Sequence, residues 1–539
     1  MGEAEARASK IFGSDNTFFV TNGTSGANKI VFHGCVSSGD IVLVDRNCHK
    51  SIMHAIIMTG AIPLYFIPTR NAQGIIGPIH KDEFSPTTIR KKLAANRIIR
   101  KIKKPRIKLA VVTNSTYDGL CYHAVQIKQK LKDQVENIHF DEAWYGYAHF
   151  HLLYDDRYGM CFRHDSKNHP TVFATQSTHK VLAALSQSSM VHYKNGRRKL
   201  DPMRFNEAFM MHTSTSPAYS LIASLDVAAK MMEGDRGHAM VEDSIEEAIV
   251  FRKKMVSVGK DLSKSWWFPV WQPDLQRKKV DSLKGDPRAW TLDRGAKWHG
   301  FAGMEKDYIM LDPIKVTILT PGINAKGNMD KWGIPAGIVT RFLWSRGIVV
   351  EKTGFYSWLV LFTIGITKGK SGTLLAELFA FKELYDQNAS LEEVFPELVS
   401  EHPKVYGDLT LQDLCRDMHK FLRKEKITQV MQDVYAKIPE QEMIPAKAFA
   451  QLVEDQVEDI PLKKMPGRTA ATMIVPYPPG IPILMPGEKI TKATQDILDY
   501  LAVYEEFDNR YPGFECEIHG ITVKEVKGRK TYFAPFLKK

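Results

Sequence analysis

Short apolar runs recur up to about Lys230, separated by longer stretches of helical period. They fall at 18–20 (FFV), 41–44 (IVLV), 64–67 (LYFI), 109–113 (LAVVT), 138–140 (IHF) and 172–174 (VFA). Near-continuous apolar strands alternating with helices predict a mainly parallel sheet covered on both faces. In such sheets the ligand lies beyond the carboxyl ends of the strands. A helical linker carrying Glu246, Glu247 and Arg252 leads to a second unit with WWFPVWQP (266–273) and strands at 314–319, 348–350 and 359–362. From about Asp386 the pattern turns amphipathic and helical at 411–422 and 428–438. It then becomes Pro-rich and ends in strands at 521–526 and 531–533.

Length agrees with this division, because 539 residues exceed what one core holds, about 250–300. Apolar content of 44% and charged content of 25% are those of a globular protein. No apolar run reaches the ~18 residues needed to span a bilayer, so no membrane segment is expected. The N-terminal MGEAEARASK has no apolar core and predicts no signal peptide. Ala6 stands where a myristoylation motif wants Ser or Thr. The six cysteines are scattered and form no C-x-x-C pair, which points to a reducing cytoplasm rather than to disulfides or zinc. Part of the net charge of +12 is local, in the densely basic stretch 90–108. No aromatics interleave with those charges, so the stretch reads as a solvated helix face and no nucleic-acid partner is expected.

The polar residues after the strands carry the chemistry. After 18–20 comes TNGTSGAN, a small Gly-rich turn opening a helix, with Thr24 and Ser25 as hydroxyl donors for an anion. After 41–44 comes DRNCHKS, whose His49 can stack on a planar ligand. After 138–140 comes Asp141, a carboxylate that needs a partner if buried. After 172–174 come Ser177, His179 and Lys180, with the apolar 181–185 beyond. A lysine between buried segments loses charge through desolvation and suits attack on a carbonyl. Singly, each residue reads as a cap or a strand-end group. Together they match one ligand, pyridoxal 5′-phosphate: Thr24 and Ser25 for its phosphate, His49 for its ring face, Asp141 for its pyridinium nitrogen and Lys180 for its aldehyde.

TNGTSGANK, DRNCHKSI, FDEAWYGYAHFH, STHKVLAALSQSSM, FNEAFMMHTSTSP (205–217), WHGF, LDPIKVTILTPG, IVVEKTG and PYPPGIPILMPGE span nearly the whole chain. In these motifs it resembles the bacterial inducible Orn/Lys/Arg decarboxylases. The resemblance implies an α/β aspartate aminotransferase-like major domain over 1–232, a small α/β domain over 233–384 and an α+β C-terminal domain over 385–539. It implies that Lys180 forms the Schiff base, Asp141 pairs with the ring nitrogen, His49 stacks, and Thr24 and Ser25 bind phosphate. Ser177 and His179 assist, and Trp144 lies beside the cofactor. Ser214 resembles a residue that reaches a neighbouring subunit's phosphate, which implies a homodimer with shared active sites. The PYPPG loop is expected near the site entrance. The family normally carries an N-terminal wing domain, whereas this chain begins almost at the phosphate loop. Ring assembly from dimers, and full activity, are therefore not expected to follow automatically.

The reaction implied is decarboxylation of a basic amino acid, with one proton consumed and with Lys180 or His179 protonating Cα. The distal cation of the substrate needs an acid, for which Glu351 and Asp312 are the candidates. MPGE and VEKTG resemble lysine-type and arginine-type members more than ornithine-type ones, with lysine preferred. Two other readings share the fold: an aminotransferase, which should show an arginine clamp late in the small domain, and a catalytically impaired homologue.

Overall fold

The computed structural model describes the chain except residues 163–167, 263–265, 325, 367 and 478–479. Seven strands form its central sheet: β1 (Asn16–Val20), β2 (Ile41–Asp45), β3 (Ile62–Phe66), β4 (Ile107–Thr113), β6 (Asn137–Asp141), β7 (Thr171–Gln176) and β8 (Ser189–Lys194). The remaining early strand, β5 (Leu120–Tyr122), pairs instead with β9 (Ile309–Leu311). The sheet order is β1-β8-β7-β6-β4-β2-β3. All its pairings are parallel except those of β8, which runs antiparallel between β1 and β7. β2, β3, β6 and β7 are buried throughout, as double-sided cover requires. Pro63, which cannot donate to a ladder, sits in β3 at the sheet edge.

β8 is the one sheet strand absent from the hydrophobic pattern. Ser189 and His192 interrupt its apolar run, yet both are buried. The His192 ring is satisfied by Thr17 Oγ1 at 2.8 Å and Gln176 Oε1 at 3.2 Å. The apolar segment after Lys180 is buried only at Val181 and Leu182, and Leu185 is 51% exposed.

The helix Asp235–Asp261 leads into the second unit. Its Arg252 is fully buried and donates to the carbonyls of Pro313 (2.9 Å) and Lys315 (2.7 Å), locking helix to strand. There β10 (Lys315–Leu319) pairs antiparallel with β12 (Ser357–Leu361), and β12 with the two-residue β11 (Lys352–Thr353). The strand expected at 348–350 is irregular chain, and the ladder starts two residues later.

The last unit opens with helices. Leu411–Lys424 carries a capping box between Thr410 and Asp413 and buries Leu411, Leu414, Cys415, Met418 and Leu422 on one stripe. Ile427–Ala436 follows, and the strands Val457–Pro461, Thr522–Val526 and Arg529–Leu537 form a separate antiparallel sheet. Arg46, just past β2, grips Glu488 with two hydrogen bonds of 2.6 and 2.8 Å, fastening this unit to the first. The basic stretch at 90–108 is largely exposed, and its helix Pro86–Ala95 is capped by Ser85, as a solvated face should be. Among the described residues no helix is long and apolar enough to cross a membrane.

Candidate active site

A cavity of about 450 Å³ opens at the carboxyl edge of the sheet. Five parallel-running strands contribute: Thr24 and Ser25 after β1, His49 after β2, Ser115 and Tyr117 after β4, Asp141 and Trp144 from β6, and Ser177, His179 and Lys180 after β7. β8 runs the other way, so its leading residues Ser186 and Gln187 close the same edge. The Gln187 carbonyl accepts the N–H of Gly23 at 2.7 Å. Gly23 has φ 74°, and a Cβ on Gly26 would lie 2.2 Å from Asn22 Oδ1. The turn thus needs both glycines to bring the start of the helix Gly23–Cys35 to the cavity.

Lys180 sits on the short helix Thr178–Val181, its Nζ 4.3 Å from the centre of the Trp144 ring. Burial pushes its amine below the usual lysine range; Asp141 and Glu351 oppose that shift and Lys315 adds to it. Asp141 accepts from Asn28 Nδ2 at 3.0 Å and from the Ala143 N–H at 3.3 Å. Burial raises its carboxyl, against the Asn28 bond and the charge of Lys180. His49 caps the helix Lys50–Thr59, accepting at Nδ1 from the Ser51 N–H, with Ser51 Oγ at 2.9 Å. Burial, then Lys180, lowers its ring to about 4, so it is neutral at ordinary pH. Thr24 Oγ1 and Ser177 Oγ lie 2.5 Å apart, a hydroxyl pair beside the helix start. His179 Nδ1 donates to the Ser188 carbonyl at 2.8 Å, which ties the ring to the start of β8.

The cavity therefore gathers eight expected residues: Thr24, Ser25, His49, Asp141, Trp144, Ser177, His179 and Lys180. Glu351 stands just behind, linked through Tyr117, whose hydroxyl lies 2.9 Å from Oε1. Burial raises the Glu351 carboxyl, with the Tyr117 bond and Lys180 opposing. Asp312 is corrected. It is 0% exposed, its oxygens are taken by the hydroxyls of Tyr147 and Tyr154 and the N–H of Ile314, and it does not line the cavity. An acid sealed in the core with both oxygens engaged by core donors is not placed to meet a substrate cation. Ser214 is exposed and lies outside its own chain's cavity, its Oγ accepting from the Ser216 N–H at 3.0 Å. Pro478 and Pro479 of the PYPPG loop lie outside the described residues, while Tyr477 and Gly480 line the cavity. Asn28, Tyr117 and Gln187 are the functional neighbours that sequence reading missed. Tyr117 follows the strand-end rule after β4, and Asn28 stands one helical turn after Thr24.

Residues 1–370 match the family model for Orn/Lys/Arg decarboxylase, major domain, and residues 428–538 that for Orn/Lys/Arg decarboxylase, C-terminal domain. Lysine decarboxylase LdcA of Pseudomonas aeruginosa is 53% identical, over 100% of this chain and 71% of that protein. The biodegradative arginine decarboxylase of Escherichia coli is 40% identical, over 97% of this chain and 71% of its own length. The solved structure of lysine decarboxylase A from P. aeruginosa has a TM-score of 0.94 at 52% identity, covering 99% of this chain and 71% of that one. Fold and site together define an α/β enzyme built on a mainly parallel seven-stranded sheet, with a buried amine in the cavity at the carboxyl edge of that sheet. The chain belongs to the Orn/Lys/Arg decarboxylase family and is an amino-acid decarboxylase of that type.

Proposed function

We propose that this chain decarboxylates L-lysine with pyridoxal 5′-phosphate, giving the diamine and carbon dioxide and consuming one proton. The observation that carries the reading is Lys180 and Asp141 at the ends of adjacent strands, in one cavity, each shifting the other's titration. The residues present fit the cofactor. Thr24, Ser25 and Ser177 offer hydroxyls at a helix start, where free N–H groups favour a phosphate. Asp141 offers a carboxylate for a pyridinium nitrogen, and the neutral ring of His49 offers a face to stack. Lys180 is the amine for the aldehyde, and Trp144 flanks it.

When bound, the cofactor supplies the electron sink for the pair left by departing carbon dioxide. The protein's part is placement and proton control. Asp141 would hold the ring nitrogen with its carboxylate and so favour the protonated ring. Glu351, held by Tyr117, takes the distal ammonium of the substrate and so sets chain length. Lys180, or His179 through an N–H at Nε2, returns the proton to Cα. Lysine is preferred over arginine because identity to a lysine decarboxylase is 53%, against 40% to an arginine decarboxylase.

We also assign the chain to a cytoplasmic homodimer. Met211 and Tyr219, 66% and 82% exposed, flank Ser214 and form an apolar surface suited to a second copy whose phosphate Ser214 reaches. Six free cysteines suit a reducing compartment. The units are taken as 1–232, 233–384 and 385–539, the first break falling just before the helix Asp235–Asp261. Borohydride reduction of protein supplied with pyridoxal phosphate, followed by peptide mapping, should label Lys180. Carbon dioxide release from lysine, arginine and ornithine in parallel should be fastest with lysine. A label elsewhere, or keto-acid products alone, overturns the reading.

A further inference from the structure

Behind the cavity wall lies a buried polar chain. His139, Thr175, Asn28, Ser51 and Asp141 are each at most 4% exposed. His139 Nε2 is 2.9 Å from Thr175 Oγ1, and Thr175 Oγ1 donates to Asn28 Oδ1 at 2.7 Å. Asn28 Nδ2 donates to Asp141 Oδ2 at 3.0 Å and to Ser51 Oγ at 2.9 Å. Ser51 Oγ is 2.9 Å from His49 Nδ1.

Hydrogen counting gives this chain one direction. Burial holds the His139 ring neutral, and its Nδ1 has no hydrogen-bond partner among the described residues. Its single proton therefore belongs on Nε2, where Thr175 accepts it, since a buried N–H without an acceptor is costly. The Thr175 proton then has only Asn28 Oδ1 to go to. That orients the amide, and both of its hydrogens face Ser51 and Asp141. A flipped amide would set its carbonyl oxygen against the Asp141 carboxylate. It would also give Thr175 two incoming donors and no acceptor. Ser51, receiving from Asn28, can pass its own proton only toward His49 Nδ1.

We infer that Asn28 is a positioning residue: with one oriented side-chain amide it holds Asp141 as a hydrogen-bond acceptor and, through Ser51, fixes His49 with its lone pair on Nδ1. This rests on the cofactor roles proposed for Asp141 and His49, and it adds the group that commits both at once. The other titratable groups around Asp141 are Lys180, Asp45 and Cys48. Asp45 and Cys48 supply no cation, so the neutral amide is what favours the ionised form from this side. Asn28 needs no contact with substrate to act.

The test uses cofactor-free and cofactor-loaded protein of the full chain. In cofactor-free protein, the protonated-carboxyl infrared band of Asp141, assigned as the one lost in Asp141→Asn, is followed against pH. Asn28→Ala should raise its midpoint by about one to two pH units, the size of one lost hydrogen bond to a carboxylate. Thr175→Val, which keeps the shape but frees the amide to flip, should raise it by a smaller amount, about half a unit. In loaded protein, both variants should shift the pH midpoint of the visible cofactor band and release the cofactor about tenfold more readily. Circular dichroism confirms folding; if Asn28→Ala does not fold, Thr175→Val decides. An unchanged Asp141 midpoint in a folded variant overturns the inference. Wild-type protein that takes up no pyridoxal phosphate overturns the proposed function instead, and the infrared arm still reads Asn28.

Discussion

Tyr117 Oη lies 2.9 Å from Oε1 of Glu351 and 3.0 Å from the carbonyl oxygen of the same residue. The next position repeats the tie: Lys352 Nζ is 2.6 and 2.8 Å from the two oxygens of Asp118. Two consecutive residues after β4 thus clamp two consecutive residues of the second unit. The clamp fixes how far Glu351 stands from Lys180. Removing the hydroxyl should loosen substrate fit more than chemistry. Tyr117→Phe is expected to raise KM for lysine about tenfold, the value of one hydrogen bond to a charged group, with kcat changed only a few-fold. Glu351→Gln should erase the preference for lysine over shorter or uncharged analogues. Steady-state carbon dioxide release across that substrate series checks both.

Lys180→Ala should leave the fold intact, because among the described residues the side chain makes no ion pair and its amine lies over the Trp144 ring. The variant should show no borohydride-reducible label in its lysine peptide. Its turnover should fall by on the order of 10³-fold or more, since the nucleophilic amine is gone. Mass mapping and carbon dioxide assays read the two effects separately.

Much of this site could be seen in the sequence, for a definite reason. A parallel sheet gathers its strand ends on one edge, so the residues after β1, β2, β6 and β7 had to meet. Asn28 was hidden because it reaches the site from inside a helix, and helix-buried amides leave no periodic mark. Gln187 was hidden because β8, which carries it there, is antiparallel and contains buried serine and histidine. Asp312 misled because a short acidic motif says nothing about Tyr147 and Tyr154, 165 and 158 positions away in sequence, which take its oxygens.

Arg46 and Glu488 form the polar seam between the site-bearing sheet and the C-terminal unit, their side chains 6% and 2% exposed. Arg46 also lies 4.6 Å over the Tyr65 ring. Breaking a buried pair leaves one charge without compensation, which costs about 3–5 kcal/mol. Glu488→Gln is expected to destabilise by that amount in urea unfolding. Cofactor retention should weaken with it, because Arg46 and His49 share the loop after β2. A variant as stable as wild type would show that the seam is held by apolar packing instead.

Acid stability should depend on buried groups of opposite sign. Burial lowers His192 to about 3, whereas an unfolded histidine titrates near ~6.5. Between those values the unfolded chain binds a proton that the native protein refuses. Stability therefore falls with falling pH, by about 1.4 kcal/mol per pH unit for one such group. Glu142 is the reverse case: burial, against bonds from Gln176, Gly159 and Asn114, raises it to about 7. From pH 7 down to the unfolded carboxyl value near ~4.3, the native protein takes the proton first, and Glu142 adds stability as pH falls. His192→Gln should accordingly flatten the loss of stability between pH 6 and pH 4.5, and Glu142→Gln should steepen it. Urea midpoints at pH 6.5, 5.5 and 4.5 give the slopes, and equal slopes in both variants would place the acid sensitivity at other residues.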